Sequence, residues 1–466
     1  MDAFGPPFPV DTSKPLVLTL KMALPAAVML SPDFTHNSIM TFPRITTIIA
    51  VIILITGATP SPGQVRDSAT TAGKTDTTKT APAQTPTREN KGTNSSAAGK
   101  AAEPLNMLVL GDSIMWGQGL RQHDKVWWRV KNWLQEKTGR PVREIIKAHS
   151  GAVIELGSPL ENAFTSNDGE VNLFTPTINQ QVDDALRHYS DPSKVDLVLV
   201  DGCINDVDVN NLLDTSMPLD PLETSIREKC GARMQSLLTR IAKSFPRAHM
   251  VVSGYYRIVS PETDNNSFTR LLIKKLTSHR EQTSEEKLSD REMKERLVAI
   301  SETWYKVSTA SLAQAIAAVN SELRQSGSTQ RVLFAEIEFA PEHAFSAPQT
   351  LLWNFKFAST NLSGLRKAIV ILTLGTAAYK PDDDVRQARS DSCKQTYRKP
   401  KDRKETKSEK QQRELSQLAC RYASLGHPNK MGALVYAESI KGQLRWLMTT
   451  AGWPGKPATV QSIPAQ

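Results

Sequence analysis

Ser113 stands in Gly111-Asp112-Ser113-Ile114-Met115-Trp116-Gly117, directly after a short apolar run, so glycine and aspartate place its hydroxyl on a turn. No GxSxG elbow surrounds it. Gly-Asp-Ser is also ordinary turn chemistry, and by itself it specifies little. A second group is His427-Pro428-Asn429, with Gly432 shortly after. A neutral imidazole, with an ordinary pKa of about 6.5, is suited to removing a serine proton near neutral pH. A third is Gly202-Cys203-Ile204-Asn205-Asp206. The side-chain amide of Asn205 offers a donor to a developing oxyanion, and the alternative is an asparagine capping the next helix. Serine, imidazole and amide together suit acyl transfer, provided the fold brings the two ends of the chain together.

The elements that must position these groups alternate. Apolar runs at Asn106–Leu110, Arg143–Ala148, Val195–Val200, Ala248–Tyr256 and Arg331–Ile337 read as strands. Val195–Val200 is nearly continuous, as a parallel strand covered on both faces requires. Between them, helical spacing covers Trp127–Lys137, Ile178–His188 and Ile226–Ser244, and Tyr436–Leu447 closes the chain as an amphipathic helix. The charged stretch Pro261–Glu302 reads as an exposed helical insertion, continued by a helix over Thr303–Leu323. The stretch Pro341–Ala419 has no legible pattern. The expected fold class is α/β: a three-layer α/β/α sandwich around a flavodoxin-like, five-stranded parallel sheet with helices on both faces. In such sheets functional groups gather at the carboxyl ends of the strands. Ser113 follows the first strand, Gly151 the second and Asn205 the third.

These blocks together resemble the SGNH/GDSL hydrolases, a family of lipases and esterases. The family order is a GDS block, a lone glycine after the second strand, a GxND block after the third and a histidine near the C-terminus. Here the matching residues are Gly111–Ile114, Gly151 within AHSGAV, Asn205-Asp206, and HPNKMG at His427–Gly432. The resemblance covers most of Asn106–Tyr256 and again Arg421–Leu444. It implies that Ser113 is the nucleophile and His427 its general base. It also implies an oxyanion hole made of the backbone N–H groups of Ser113 and Gly151 and the side-chain amide of Asn205. Asp112 and Asp206 are expected to order their turns rather than react. No metal or organic cofactor is implied.

Two positions depart from the family. The family has an aspartate three residues before its histidine, where this chain has Ser424. In a related triad, loss of the acid costs about four orders of magnitude in turnover when nothing replaces it. A serine hydroxyl, a backbone carbonyl or a carboxylate from elsewhere in the chain could hold the ring instead, and the expectation is a Ser–His dyad with Ser424 or a main-chain oxygen as orienter. Cys203 stands where the GxND block begins with glycine, and its side chain would narrow the pocket or tie the loop.

The chain has 466 residues, 39% of them hydrophobic and 23% charged, a globular makeup. Its formal net charge of +9 gathers in low-complexity stretches such as Arg398–Lys410, RKPKDRKETKSEK, which reads as a solvated run. With no aromatic interleaving and no reader motif, a nucleic-acid partner is excluded, and the expected partner is a small-molecule, polysaccharide or lipid ester. The four cysteines have no zinc-ligand spacing. They allow three disulfide pairings, of which 203–230 with 393–420 is nearest in sequence, and buried free thiols are the alternative.

Ile45–Ala58, ITTIIAVIILITGA, matches a secretory h-region and is short for a membrane span, with Arg44 as its positive flank and Met40 as a candidate start. The competing reading is an uncleaved membrane anchor. Residues 59–103 are rich in Thr, Ala, Pro, Ser, Gly and Lys and read as a disordered tether. The expected division is 1–58 signal or anchor region, 59–103 linker, 104–450 hydrolase domain with an insertion at about 260–420, and 451–466 tail. The expectation is thus an exported serine esterase, secreted or periplasmic. The alternatives are a glycan- or lipid-binding relative with weakened catalysis, or an acyltransferase on the same scaffold.

Overall fold

The computed structural model describes residues 102–155, 176–264, 288–357, 379–399 and 403–455. The signal or anchor region, its candidate start at Met40, most of the 59–103 linker and the end of the 451–466 tail lie outside the described residues.

Five short apolar runs pair as parallel strands: β1 (Leu105–Leu110), β2 (Val142–Ile146), β3 (Leu197–Val200), β4 (His249–Ser253) and β5 (Val332–Ala335). Their order is β2-β1-β3-β4-β5. Leu108 aligns with Ile145 on one side and Val198 on the other, and Val251 aligns with Leu333. All residues of β3 and β4 are buried, as the apolar runs require of strands covered on both faces.

The helices follow in chain order. The first part holds α1 (Ser113–Trp116), α2 (Val126–Thr138), α3 (Ile178–His188), α4 (Ile204–Val207), α5 (Val209–Leu212), α6 (Leu219–Ile226) and α7 (Met234–Ser244). The second part holds α8 (Asp290–Gln325), α9 (Arg386–Thr396), α10 (Lys407–Tyr422) and α11 (Lys430–Ala451). Helices α2 and α11 pack together on one face of the sheet, and α3, α7 and α8 pack together on the other. The result is a three-layer α/β/α sandwich with the strand order of flavodoxin-like folds. Caps set several boundaries. Thr177 and Gln180 form a reciprocal capping box at the start of α3, as Ser289 and Glu292 do for α8, and Gly139 ends α2 in the left-handed region.

The structure revises three sequence expectations. The charged stretch expected as an exposed insertion is, from Asp290 onward, the first half of α8. Met293, Leu297 and Ile300 of that helix are buried, so it is the crossover to β5 and not a surface addition. Residues 265–287 of the same stretch lie outside the described residues. The helix expected over Ile226–Ser244 is interrupted by a π-helical segment, Arg227–Arg233, which carries Cys230. The fourth strand ends at Ser253, so the chain leaves the sheet at Gly254 and frees Tyr255 and Tyr256 to reach the site described below. Where no pattern was legible, a two-stranded antiparallel sheet forms from β6 (Phe355–Phe357) and β7 (Tyr379–Pro381), followed by α9 and α10. The cysteines pair as Cys203–Cys230 and Cys393–Cys420. Among the described residues, no helix is long and apolar enough to cross a membrane.

Candidate active site

Ser113 is the first residue of α1, at the carboxyl end of β1, and its turn is braced by four side chains. The Asp112 carboxylate caps the helix by accepting the Ile114 N–H at 2.9 Å. Asp201, at the end of β3, accepts the N–H groups of Asp112 at 2.7 Å and Met115 at 2.9 Å. The Gln181 amide of α3 bonds both the N–H and the carbonyl of Gly111, at 2.8 and 2.9 Å. Tyr255 completes the support by donating its phenol to Asp112 at 2.7 Å. Two fully buried carboxyls therefore lie behind the Ser113 turn. Burial pushes Asp112 up to about 6, and burial together with repulsion from Asp112 pushes Asp201 well above the usual carboxylate range. The pair thus avoids holding two full charges at neutral pH.

The turn after β2 holds Gly151 at φ +77°, a left-handed position suited to glycine. This turn is tied to the loop after β3. The Asn205 side chain donates to the Ala152 carbonyl at 2.9 Å, and the Asp206 carboxylate accepts the Ile154 N–H at 3.0 Å. Burial raises the Asp206 carboxyl to about 6, against the pull of the Ile154 N–H and nearby Arg233. Asn205 is not a helix cap, since Cys203 holds that position with φ +104°. A non-glycine residue there is strained, and the disulfide to Cys230 fixes it. Among the described residues, no group accepts a hydrogen bond from the backbone N–H of Ser113 or of Gly151. The Asn205 amide has a second N–H beyond the one given to Ala152.

His427 lies in the loop between α10 and α11. Its carbonyl accepts the Trp353 N–H at 2.7 Å, while the Gly426 and Asn429 N–H groups donate to Trp353 and Leu351 carbonyls at 3.0 and 2.8 Å. Tyr256 donates to the Gly426 carbonyl at 2.7 Å. A side chain at Gly432 would meet the Leu351 carbonyl oxygen at 2.3 Å, so only glycine permits this approach. The strapped loop sets the imidazole Nε2 2.7 Å from the Ser113 hydroxyl. Desolvation lowers the ring to about 4; the Leu425 and Ser424 carbonyls oppose that shift, and the Arg389 charge adds to it. The ring is therefore neutral across the ordinary range and available as a proton acceptor.

The structure brings Ser113, His427, Gly151 and Asn205 to the carboxyl ends of neighbouring strands. The Ser424 hydroxyl, expected as one of two candidate orienters, does not touch the ring. It donates to Asp383 Oδ2 at 2.8 Å and accepts from Arg389 at 3.0 Å. Nδ1 of His427 is buried without an ordinary hydrogen bond, and the main-chain oxygens of Ser424 and Leu425 face the ring. Sequence reasoning missed Asp201, Gln181, Tyr255, Asp383 and Arg389. Of these only Asp201 carried a signal, an acidic residue closing the strongest apolar run. Among the described residues, no cluster of three His, Cys, Asp or Glu side chains is placed to hold a metal ion.

No family model matches the chain, and no curated protein matches it. Solved structures similar to it are lipases and esterases. The extracellular lipase of Streptomyces rimosus is 15% identical with a TM-score of 0.32, covering 53% of this chain and 87% of the lipase. Phospholipase A1 of Streptomyces albidoflavus is 14% identical with a TM-score of 0.31, covering 56% and 91%. The M. smegmatis aryl esterase is 11% identical with a TM-score of 0.27, covering 50% and 84%. Likeness at this level carries no inference about what this chain does.

Proposed function

We propose that this protein is a serine esterase that cleaves carboxylic ester bonds, with Ser113 as nucleophile and His427 as general base. The observation that carries this reading is the 2.7 Å approach of His427 Nε2 to the Ser113 hydroxyl at the carboxyl edge of a parallel sheet. The Ser113 oxygen attacks the ester carbonyl carbon while His427 takes its proton. The tetrahedral oxyanion is met by the N–H groups of Ser113 and Gly151 and by the Asn205 amide. Collapse breaks the bond to the alcohol oxygen, which leaves with the proton from His427. Water then repeats the sequence on the acyl-serine, releasing acid and free enzyme. Among the described residues no acid side chain touches the ring, and the main-chain carbonyls of Ser424 and Leu425 favour its protonated form when the imidazolium forms.

Two disulfides support a working place in an oxidising compartment, in line with export. The test is a series of p-nitrophenyl esters of increasing chain length with wild type and Ser113→Ala, run beside fluorophosphonate labelling. Wild type is expected to turn over and label, and the variant to do neither. A chain that folds but does not label sinks the reading. Transfer to an added alcohol that outpaces hydrolysis would instead identify an acyltransferase.

A further inference from the structure

Ser424 sits three residues before His427, and its side chain is fully buried. Its hydroxyl closes a ring with two other groups, Asp383 Oδ2 and the Arg389 guanidinium, which also bond each other. Neither the Asp383 nor the Arg389 side chain has any solvent exposure. Asp383 follows β7, Arg389 lies on α9, and Ser424 stands just past α10. The Asp383 carboxylate is fixed at its other oxygen by the Val385 N–H at 3.2 Å. The Cys393–Cys420 disulfide ties α9 to α10, so the three groups are held in one rigid corner. A buried ion pair adds little stability by itself, while breaking one is strongly destabilising, so this one is better explained by specificity of arrangement.

We propose that Asp383 is a positioning residue for His427, acting through Ser424, with Arg389 as its counter-ion. This rests on reading Ser113 and His427 as nucleophile and base. Asp383 takes the only proton of the Ser424 hydroxyl and Arg389 fills its acceptor site, so the side chain is locked. The locked residue accepts the main-chain N–H of His427 at its carbonyl at 3.0 Å, and this carbonyl and that of Leu425 oppose the lowering of the ring's pKa. A carboxylate thus stands one side chain further from the ring than in a direct acid–histidine contact. The other ionisable groups packed around the loop are Tyr256, which bonds Gly426, and Lys430 at the start of α11, paired with Asp384 at 3.0 Å and near Asp124. Of these charged groups, Arg389 and Asp383 have side chains with no solvent exposure, while those of Lys430, Asp384 and Asp124 are partly exposed.

The test measures p-nitrophenyl acetate turnover and the titration of His427 by NMR of its ring Cε1–H, assigned with His427→Asn. Asp383→Asn is expected to lower kcat about 10- to 100-fold at nearly constant KM. It leaves Arg389 uncompensated, so the His427 midpoint moves down by about half a pH unit or more. Arg389→Gln is expected to move it up by a similar amount. Lost packing alone would shift both variants the same way, and that result overturns the proposal. So do folded variants with wild-type kcat and midpoints. If either variant fails to fold, Ser424→Ala decides, because it leaves the ion pair intact: kcat should fall, and wild-type kcat refutes the relay. Fluorophosphonate labelling of wild type separates the two levels. Absent labelling removes the hydrolase reading and this inference together. Labelling with unaffected variants removes only the role of Asp383.

Discussion

Gly111 and Asp201 occupy each other's space: a Cβ at Gly111 would lie 1.8 Å from Asp201 Oδ1, and the glycine adopts φ +131° to make way for that carboxylate. The Ser113 turn is shaped around a buried acid 90 residues downstream in the chain.

From this follows a prediction. Gly111→Ala adds both a backbone strain and a direct clash, and should lower the unfolding free energy by about 3 kcal/mol. Urea denaturation measures it. An unchanged midpoint would show that Asp201 does not brace the turn.

Asn205 tests the oxyanion arrangement. Asn205→Ala is expected to reduce kcat about 100- to 1000-fold with little change in KM, because the donor matters once charge develops on the substrate oxygen. Steady-state kinetics on p-nitrophenyl esters decides. A loss expressed mainly in KM would assign the residue to substrate binding.

The pH profile follows from the burial of His427. The ring must be neutral to accept the serine proton, so activity is present above its pKa and lost as pH falls through it. Desolvation brings that pKa to about 4, below the ordinary 6.5, so the acid limb of kcat/KM should lie near 4. A limb near 6.5 would mean that the ring is hydrated in solution.

The Cys203–Cys230 disulfide spans 27 residues and holds Cys203 at φ +104°. Removing it should cost about 3.5 kcal/mol on the chain-entropy account. A Cys203→Ala/Cys230→Ser variant keeps a strained residue beside Asn205, while Cys203→Gly/Cys230→Ser does not. The glycine variant should therefore be the more stable and the more active. Equal stability and turnover in the two would mean that the backbone at residue 203 relaxes freely.

Sequence and structure divide the molecule along physical lines. The parallel sheet was legible because buried parallel strands must be apolar on both faces, and such runs stand out at β1, β3 and β4. Ser113, Asn205 and His427 were nominated by the order of their blocks along the chain, with Ser113 and Asn205 following strands, each block by itself specifying little. By itself the sequence determined the fold class and nominated these groups.

Only the tertiary structure decided how they are held. Asp383 and Arg389 sit in the stretch that had no legible pattern, and they are buried where they bond each other and Ser424, 35 or more residues away in the chain, a contact with no local signature. The same holds for Gln181, which looks like an ordinary helix glutamine until α3 is laid against the end of β1. A buried polar group is satisfied by partners distant in the chain, and which partners those are is a property of the packing.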